Sequence, residues 1–298
     1  MISILIPVFN YNILELVSKL HVQCKVENIA FEILCYDDRS DDILTQQQNK
    51  KIEELPCCSY VILEKNIGRS AIRNKLAKNA KYNWLLFLDA DVIPKNKDFI
   101  KTYISSISEK SQVINGGILY KEKGITDSHL LRLVYGKKRE ALTTELRNEN
   151  TYLSFLTLNF LIHKTVFKKV SFNEEIPNLR HEDTLFSYNL KQHNINVEHI
   201  ENPVYHLGIE SSHLFLKKSL DSVKAIDLFI KQNLLPSNYT KITKVYSGIR
   251  NSWVSKLLSL LFQKYSSKFE NNLLGKKPSL FIFDLYRLSY YCHLNSKK

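Results

Sequence analysis

Three stretches of the 298-residue sequence set acidic side chains where they could do chemistry. Asp89-Ala90-Asp91 follows the apolar run 84–88, and two carboxylates two residues apart at a strand end repel each other unless a cation sits between or beyond them. A hard divalent ion, bound through oxygens and keeping positions open for a diphosphate, supplies that charge. Asp37-Asp38 follows a second apolar run, and Glu182-Asp183 opens a helical pattern. Each pair also has an ordinary reading: a turn or cap for Asp37-Asp38, and acids favoured by a helix dipole for Glu182-Asp183. Arg73, in the first turn of a basic helical stretch, is the cation best placed to reach the strand ends. His206, in Val204-Tyr205-His206-Leu207-Gly208 after an expected edge strand, reads either as a metal ligand or as a structural histidine.

The elements that must position these groups read as α/β. Over residues 1–125 short β-rich runs alternate with helical patterns, the signature of a mostly parallel sheet covered by helices. Strands are expected at 2–8, 31–36, 61–64 and 84–88, and helices at 13–23, 70–80 and 182–193. Ligands in such sheets bind beyond the carboxyl ends of the strands, where Pro7-Val8-Phe9-Asn10 and both Asp pairs fall. Gly116-Gly117 marks a place where side chains would obstruct. Together with Asn159 it reads as lining an acceptor site or as a turn with strand hydrogen bonding. His163 and His181 read as surface or packing residues, and Lys137-Lys138-Arg139 as a solvated segment or a contact for an acceptor phosphate.

A hydrophobic fraction of 44% supports a sizeable core and excludes a disordered or collagen-like chain. Of the net charge of +12, residues 211–298 carry +11, from 15 Lys+Arg against 4 Asp+Glu, and residues 1–210 only +1. Five cysteines in no paired spacing indicate neither a disulfide framework nor a structural metal. Residues 2–9 are too short and lack the basic flank of a signal segment, and no window has the length of an apolar span. The expectation is a cytoplasmic protein.

Ile4 to Asn10, Asp37-Asp38-x-Ser40-x-Asp42, Asn66-x-Gly68-x-x-x-x-Arg73-Asn74, Asp89-x-Asp91 and Glu182-Asp183 resemble, in order and approximate spacing, the inverting family 2 glycosyltransferases of the GT-A fold. The resemblance covers roughly residues 1–210. It implies a GT-A, Rossmann-like mixed sheet flanked by helices. The catalytic domain would occupy 1–210, with a nucleotide-sugar half at 1–125 and an acceptor half at 126–210, ahead of a basic helical extension at 211–298. The resemblance implies that Pro7, Phe9 and Asp38 hold the nucleotide base beside Gly68 and Arg73, and that Asp89 faces the ribose. Asp91 would ligate Mg²⁺ or Mn²⁺, with His206 offered as a further ligand, and Asp183 would be the general base. Arg39 departs from the small residue, often Gly, that usually follows the acid pair. The Gln-x-x-Arg-Trp motif and membrane helices of the processive synthases are not seen, which argues against a polymerising synthase.

The expected activity is hexosyl-type transfer from a nucleotide sugar, UDP-linked before GDP or dTDP, to a glycan or lipid-linked acceptor in bacterial surface polysaccharide assembly. Rival readings are a phosphotransferase or nucleotidyltransferase using Asp89-x-Asp91, and a non-catalytic nucleic-acid- or membrane-binding protein. A dehalogenase-type phosphotransferase would carry its Asp-x-Asp on the first strand. The absence of any finger, helix-turn-helix or RNP-type motif argues against nucleic acid. The tail offers two further readings. Its helices pack on the catalytic domain or on a second subunit, or its cations and Trp253, Tyr265, Phe281, Phe283, Tyr286, Tyr290 and Tyr291 dock on an anionic membrane surface. Trp253, Leu257, Leu261 and Tyr265 form an apolar stripe, broken by Lys264, with Ser252, Ser255, Ser259 and Gln263 opposite.

Overall fold

The computed structural model describes all residues except 123, 177–179 and 297–298. The chain forms two compact units. The first comprises Met1–Lys121, Ala141–Asn178 and Glu182–Gly208, and the second Glu122–Glu140, Leu179–His181 and Ile209–Lys298.

The strands are β1 (Ile2–Val8), β2 (Phe31–Asp37), β3 (Cys58–Ile62), β4 (Trp84–Leu88), β5 (Val92–Pro94), β6 (Val113–Asn115), β7 (Ile118–Tyr120), β8 (Asn159–His163), β9 (Val197–His199) and β10 (Val204–His206). Seven of them build one sheet in the order β3-β2-β1-β4-β8-β6-β9, and β5-β10-β7 build a second. β1 to β4 are mutually parallel, whereas β8 runs antiparallel to both β4 and β6. A strand covered on both faces needs apolar residues at odd and even positions, and β1 supplies them in Ile2, Ile4, Leu5 and Ile6. The third strand begins three residues before the expected 61–64 and ends at Ile62. Its cross-sheet register is set by β2, with Asp37 opposite Ile62 at the carboxyl end. β10 is the middle strand of the small sheet and not an edge, because it pairs antiparallel with β5 on one side and parallel with β7 on the other, strands far from it in sequence.

The helices are α1 (Leu14–Val26), α2 (Ile43–Lys50), α3 (Gly68–Asn79), α4 (Phe99–Ser105), α5 (Leu130–Tyr135), α6 (Thr144–Glu149), α7 (Lys164–Lys169), α8 (Glu182–Gln192), α9 (Ser212–Lys231), α10 (Lys241–Ile249), α11 (Trp253–Leu273) and α12 (Leu280–Ser296). Alternation along the strands sends Ile4, Ile6, Leu86 and Leu88 to one face with Leu16, Val17 and Leu20 of α1 and Tyr103 of α4. Leu5, Leu85 and Phe87 go to the other face with Ile72 and Leu76 of α3 and Phe186 and Leu190 of α8. Phe87 stacks on Phe160 at 4.8 Å between ring centres, and Phe172 stacks on Phe186 at 4.3 Å.

Gly116 and Asn159 are structural parts of this unit. A Cβ on Gly116 would lie 2.4 Å from the Asn202 carbonyl oxygen, and Gly117 has a φ of +85°. Buried Asn159 donates to the Gly117 and Asn202 carbonyls and accepts from the Tyr103 hydroxyl at 2.7 Å. The turn-and-strand reading therefore describes their contacts. His163 packs edge-on against Trp84.

The second unit is helical, with a core of Leu131, Phe215, Leu216, Leu273, Phe283 and Tyr286. Side-chain caps start α9 and α10: Ser211 accepts from the Leu214 amide, and Thr240 forms a capping box with Thr243. Lys137-Lys138-Arg139 lies in a π-helical turn, where Lys137 pairs with Glu122 and Arg139 with Asp284. α11 leaves much of its apolar stripe exposed. Ser255 and Ser259 are 8% and 3% exposed, whereas Trp253, Leu257 and Leu260 are 73%, 51% and 50% exposed. The serine side packs against α12, and Ser259 shares a hydrogen bond of 2.9 Å with Ser296. Small polar residues let the two helices approach closely at this end, while Phe262, Phe269 and Leu273 of the same side join the unit's core, Phe262 and Phe269 against Tyr286. Of the tail aromatics, Phe283, Tyr286 and Tyr291 are core residues, while Trp253, Tyr265 and Phe281 are exposed.

Candidate functional site

All the candidate residues lie in the first unit, around the carboxyl ends of β1, β2 and β4. The ends of β1 and β2 are tied together by polar contacts. The Asn10 amide donates to Ser40 Oγ at 2.8 Å, and Asn10 Oδ1 accepts from the Asp41 and Asp42 amides at 3.1 and 3.3 Å. Asn10 and Arg39 both sit at positive φ, +50° and +64°. The Arg39 value is one at which glycine carries no steric cost, which is why a small residue suits this position. Pro7 is half-buried and Phe9 is exposed beside this latch.

The two acids that end β2 are used differently. Asp37 is buried, accepting from the Ser40 amide and the Tyr60 hydroxyl. Asp38 accepts from the amides of Ile67 at 2.7 Å and Gly68 at 3.0 Å. Asp38 thus pins the start of α3, where Gly68 adopts a φ of +83°. Two amide contacts leave this carboxylate further acceptor capacity.

From α3, Arg73 passes beneath the strand ends. It is buried, its Nη2 meets Asp89 Oδ1 at 2.7 Å, its Nη1 lies 3.8 Å from Glu182 Oε1, and its guanidinium lies over the Phe172 ring at 5.4 Å. Burial works against its charge, but Asp89 and Glu182 outweigh it, so Arg73 holds its proton more firmly than usual. Arg69 approaches the same Glu182 carboxylate at 3.5 Å. Burial, and then the charge of Glu182, push Asp183 above the ordinary Asp range to about 6, against opposing hydrogen bonds from Thr184 and the charge of Arg73.

Beyond β4, Asp91 Oδ2 lies 3.3 Å from His206 Nε2, while the buried His206 Nδ1 has no hydrogen-bond partner among the described residues. The Leu207 amide donates to the Asp91 carbonyl at 2.8 Å, and a Cβ at residue 208 would lie 2.1 Å from Asp91 Oδ2. Any side chain at residue 208 would displace the Asp91 carboxylate from this position. Half-buried Tyr11 is shifted upward chiefly by burial and also by the charge of Asp91, so it shares this corner. Carboxylate oxygen and imidazole nitrogen together suit a divalent cation such as Mn²⁺. Among the described residues no group of three or more His, Cys, Asp or Glu could hold a metal by itself. Asp91 and His206 alone would leave most of such an ion's coordination to groups from outside the chain.

The structure brings Arg73, Asp89, Glu182 and Asp183 into one electrostatic cluster, Asp91 and His206 into contact, and Asp38 and Gly68 into contact at the start of the helix that carries Arg73. Three contributors escape a reading of residue types alone: Glu182 as an arginine partner, Gly208 as the space beside Asp91, and the Asn10–Ser40 latch. The sequence signal for the second was a glycine two residues after a candidate ligand. A cavity of about 370 Å³ elsewhere, lined by Cys24, Asn28, Phe31 and Cys57 among others, adjoins the amino ends of β2 and β3 and contains none of these acids.

Among known proteins, the model of the family described as Glycosyl transferase family 2 matches residues 3–171, more than half of the chain. The poly(ribitol-phosphate) beta-glucosyltransferase of Bacillus spizizenii is 33% identical over 132 residues, a stretch covering 42% of this chain and 19% of that relative. The chain thus spans far less than the relative's whole length. S. aureus TarS 1-349 in complex with UDP superposes with a TM-score of 0.53 at 19% identity, covering 99% of this chain and 91% of that one. The mannosyltransferase PcManGT of Pyrobaculum calidifontis, in complex with GDP-Man and Mn²⁺, gives a TM-score of 0.62 at 11% identity over 100% of this chain and 88% of that one. At these identities the structural likeness shows the fold alone: a mixed sheet flanked by helices, of the GT-A kind.

Proposed function

The chain belongs to glycosyl transferase family 2 and is a glycosyltransferase, and from that premise we propose that it is an inverting enzyme acting on a UDP-linked sugar. The acceptor is a hydroxyl of a glycan or lipid-linked molecule. The observation that carries the reading is the Arg73 cluster, which joins the Asp89 end of β4 to the Glu182-Asp183 end of α8. Solved relatives whose complexes contain UDP, UDP-GlcNAc and GDP-Man support a nucleotide-sugar donor. The relative named for poly(ribitol-phosphate) supports a polymeric acceptor.

In this mechanism the acceptor oxygen forms a bond to the sugar C1 as the bond from C1 to the diphosphate oxygen breaks, with inversion at C1. Asp183 takes the acceptor proton, and a carboxylate held near 6 is a stronger base than an ordinary aspartate yet remains ionised at neutral pH. Asp38, Gly68 and the Pro7–Phe9 loop hold the base, Asp89 orients the ribose while Arg73 fixes its carboxylate, and Asp91 with His206 would hold Mn²⁺ or Mg²⁺. When bound, such an ion supplies positive charge to the leaving diphosphate.

The test is a thermal-shift and hydrolysis screen of UDP-, GDP- and dTDP-sugars with and without Mn²⁺, repeated on Asp91→Ala. Stabilisation by a UDP-sugar that requires Mn²⁺ and disappears in Asp91→Ala is the expected result. Equal, metal-independent responses in both proteins overturn the metal assignment, and no response to any nucleotide sugar overturns the donor assignment.

A further inference from the structure

We infer that the outward face of α10 and α11 is a docking surface for an anionic lipid bilayer. The inference is independent of which sugar the enzyme moves. Trp253, Leu257 and Leu260 fall on one side of α11 by helical spacing, and all three are at least half exposed. The opposite side of the same helix is already taken by α12 through Ser255 and Ser259, and among the described residues Trp253, Leu257 and Leu260 are not part of the helical unit's packed core. Val245, on the preceding helix, is exposed as well.

Charge selects the occupant. From residue 228 to residue 269 the sequence contains seven Lys or Arg and no Asp or Glu. Lys264 and Lys268 continue the outward side of α11 beyond Leu260, and Lys241 and Lys244 lie on α10; all four are exposed. A second copy of this chain, paired through the same face, would set cations against cations without acids to answer them. A soluble polyanion would satisfy the lysines and leave the tryptophan and leucines in water. A bilayer with anionic headgroups takes both: an indole is at home at the headgroup level, leucines enter the acyl boundary, and lysine stems reach back to the phosphates. Among the described residues no helix is long and apolar enough to cross a membrane, so the contact is one of lying on the surface.

The experiment sediments the full chain with vesicles of phosphatidylcholine, with and without phosphatidylglycerol. Binding only to the phosphatidylglycerol vesicles, weakened by salt, is expected. Replacing Trp253, Leu257 and Leu260 together by Ser, or Lys244, Lys264 and Lys268 together by Gln, should each lower the partition coefficient on the order of a hundredfold. Nucleotide-sugar hydrolysis in solution should stay unchanged, which also shows that the variants fold. In a Trp84→Phe background Trp253 is the sole tryptophan, and its emission should shift to the blue only when anionic vesicles are present. Undiminished binding by either triple variant overturns the proposal, as does failure of the parent chain to bind. A blue shift without vesicles that tracks a doubling of mass assigns the face to a second copy, and the same shift with soluble polyphosphate assigns it to a polyanion; either overturns the bilayer.

Discussion

The two units distribute polarity in opposite ways. In the α/β unit the large apolar side chains fill both faces of the sheet, and the charges it buries are compensated: Arg73 by Asp89 and Glu182, and Asp38 by two backbone amides. In the helical unit, α11 buries serines and turns a tryptophan and two leucines outward. A sheet strand held between two layers has no free side, so its apolar residues must be buried. A surface helix has a choice of sides, decided by which one lets its neighbour approach and complete its hydrogen bonds. Buried charge in the first unit and exposed apolar surface in the second are thus both departures from the usual arrangement, and both fall where function is proposed.

The sharpest way to break this contrast is Asp183→Asn, for which transfer is expected to fall by about 10²–10⁴-fold while donor binding, measured by titration calorimetry, persists. Unchanged turnover removes Asp183 as the base. The parent enzyme should show kcat/KM rising with pH through about 6, because only the carboxylate accepts a proton; a flat profile across that region counts against the assignment. Since the folded-state value lies above the unfolded one, the stability this group contributes is complete below the ordinary Asp range and is lost as pH rises through about 6. Asp183→Asn removes that loss, so at neutral pH its Tm should rise by about 2–4 °C.

Next in size is Arg73→Ala, which withdraws a buried cation from between two carboxylates and should destabilise by about 3 kcal/mol in urea titrations. A loss confined to activity would mean that the cluster is catalytic only. Within the helical unit, Ser259→Leu should cost about 1–3 kcal/mol by overpacking the α11–α12 contact and losing the Ser296 hydrogen bond. Trp253→Ser should change stability by no more than about 0.5 kcal/mol. If the polar-to-apolar change proves harmless and the loss of the indole costly, the orientation of α11 described here is wrong.

Much of the first unit was legible because period-two and continuous apolar runs dictate strands, and the acids stand where strands must end. Asp37-Asp38 and Asp89-x-Asp91 were therefore placed by local pattern alone, and the family by the ordered set of motifs. Beta-strand boundaries were less accessible: the third strand begins at Cys58 because its register answers to β2, a partner more than twenty residues earlier. The same is true of Glu182, whose role as an arginine partner depends on α3 and α8 meeting on one face of the sheet.

The sequence alone determined which residues are apolar, which are charged, and in what order strands and helices follow, because these depend on side-chain chemistry and local periodicity. Tertiary structure alone decided that Asp38 pins a helix, that Gly208 makes room for Asp91, that β10 lies between two neighbours, and that α11 presents its leucines outward. Each of these is a relation between segments far apart in the chain, and no local pattern records which partner a face will meet.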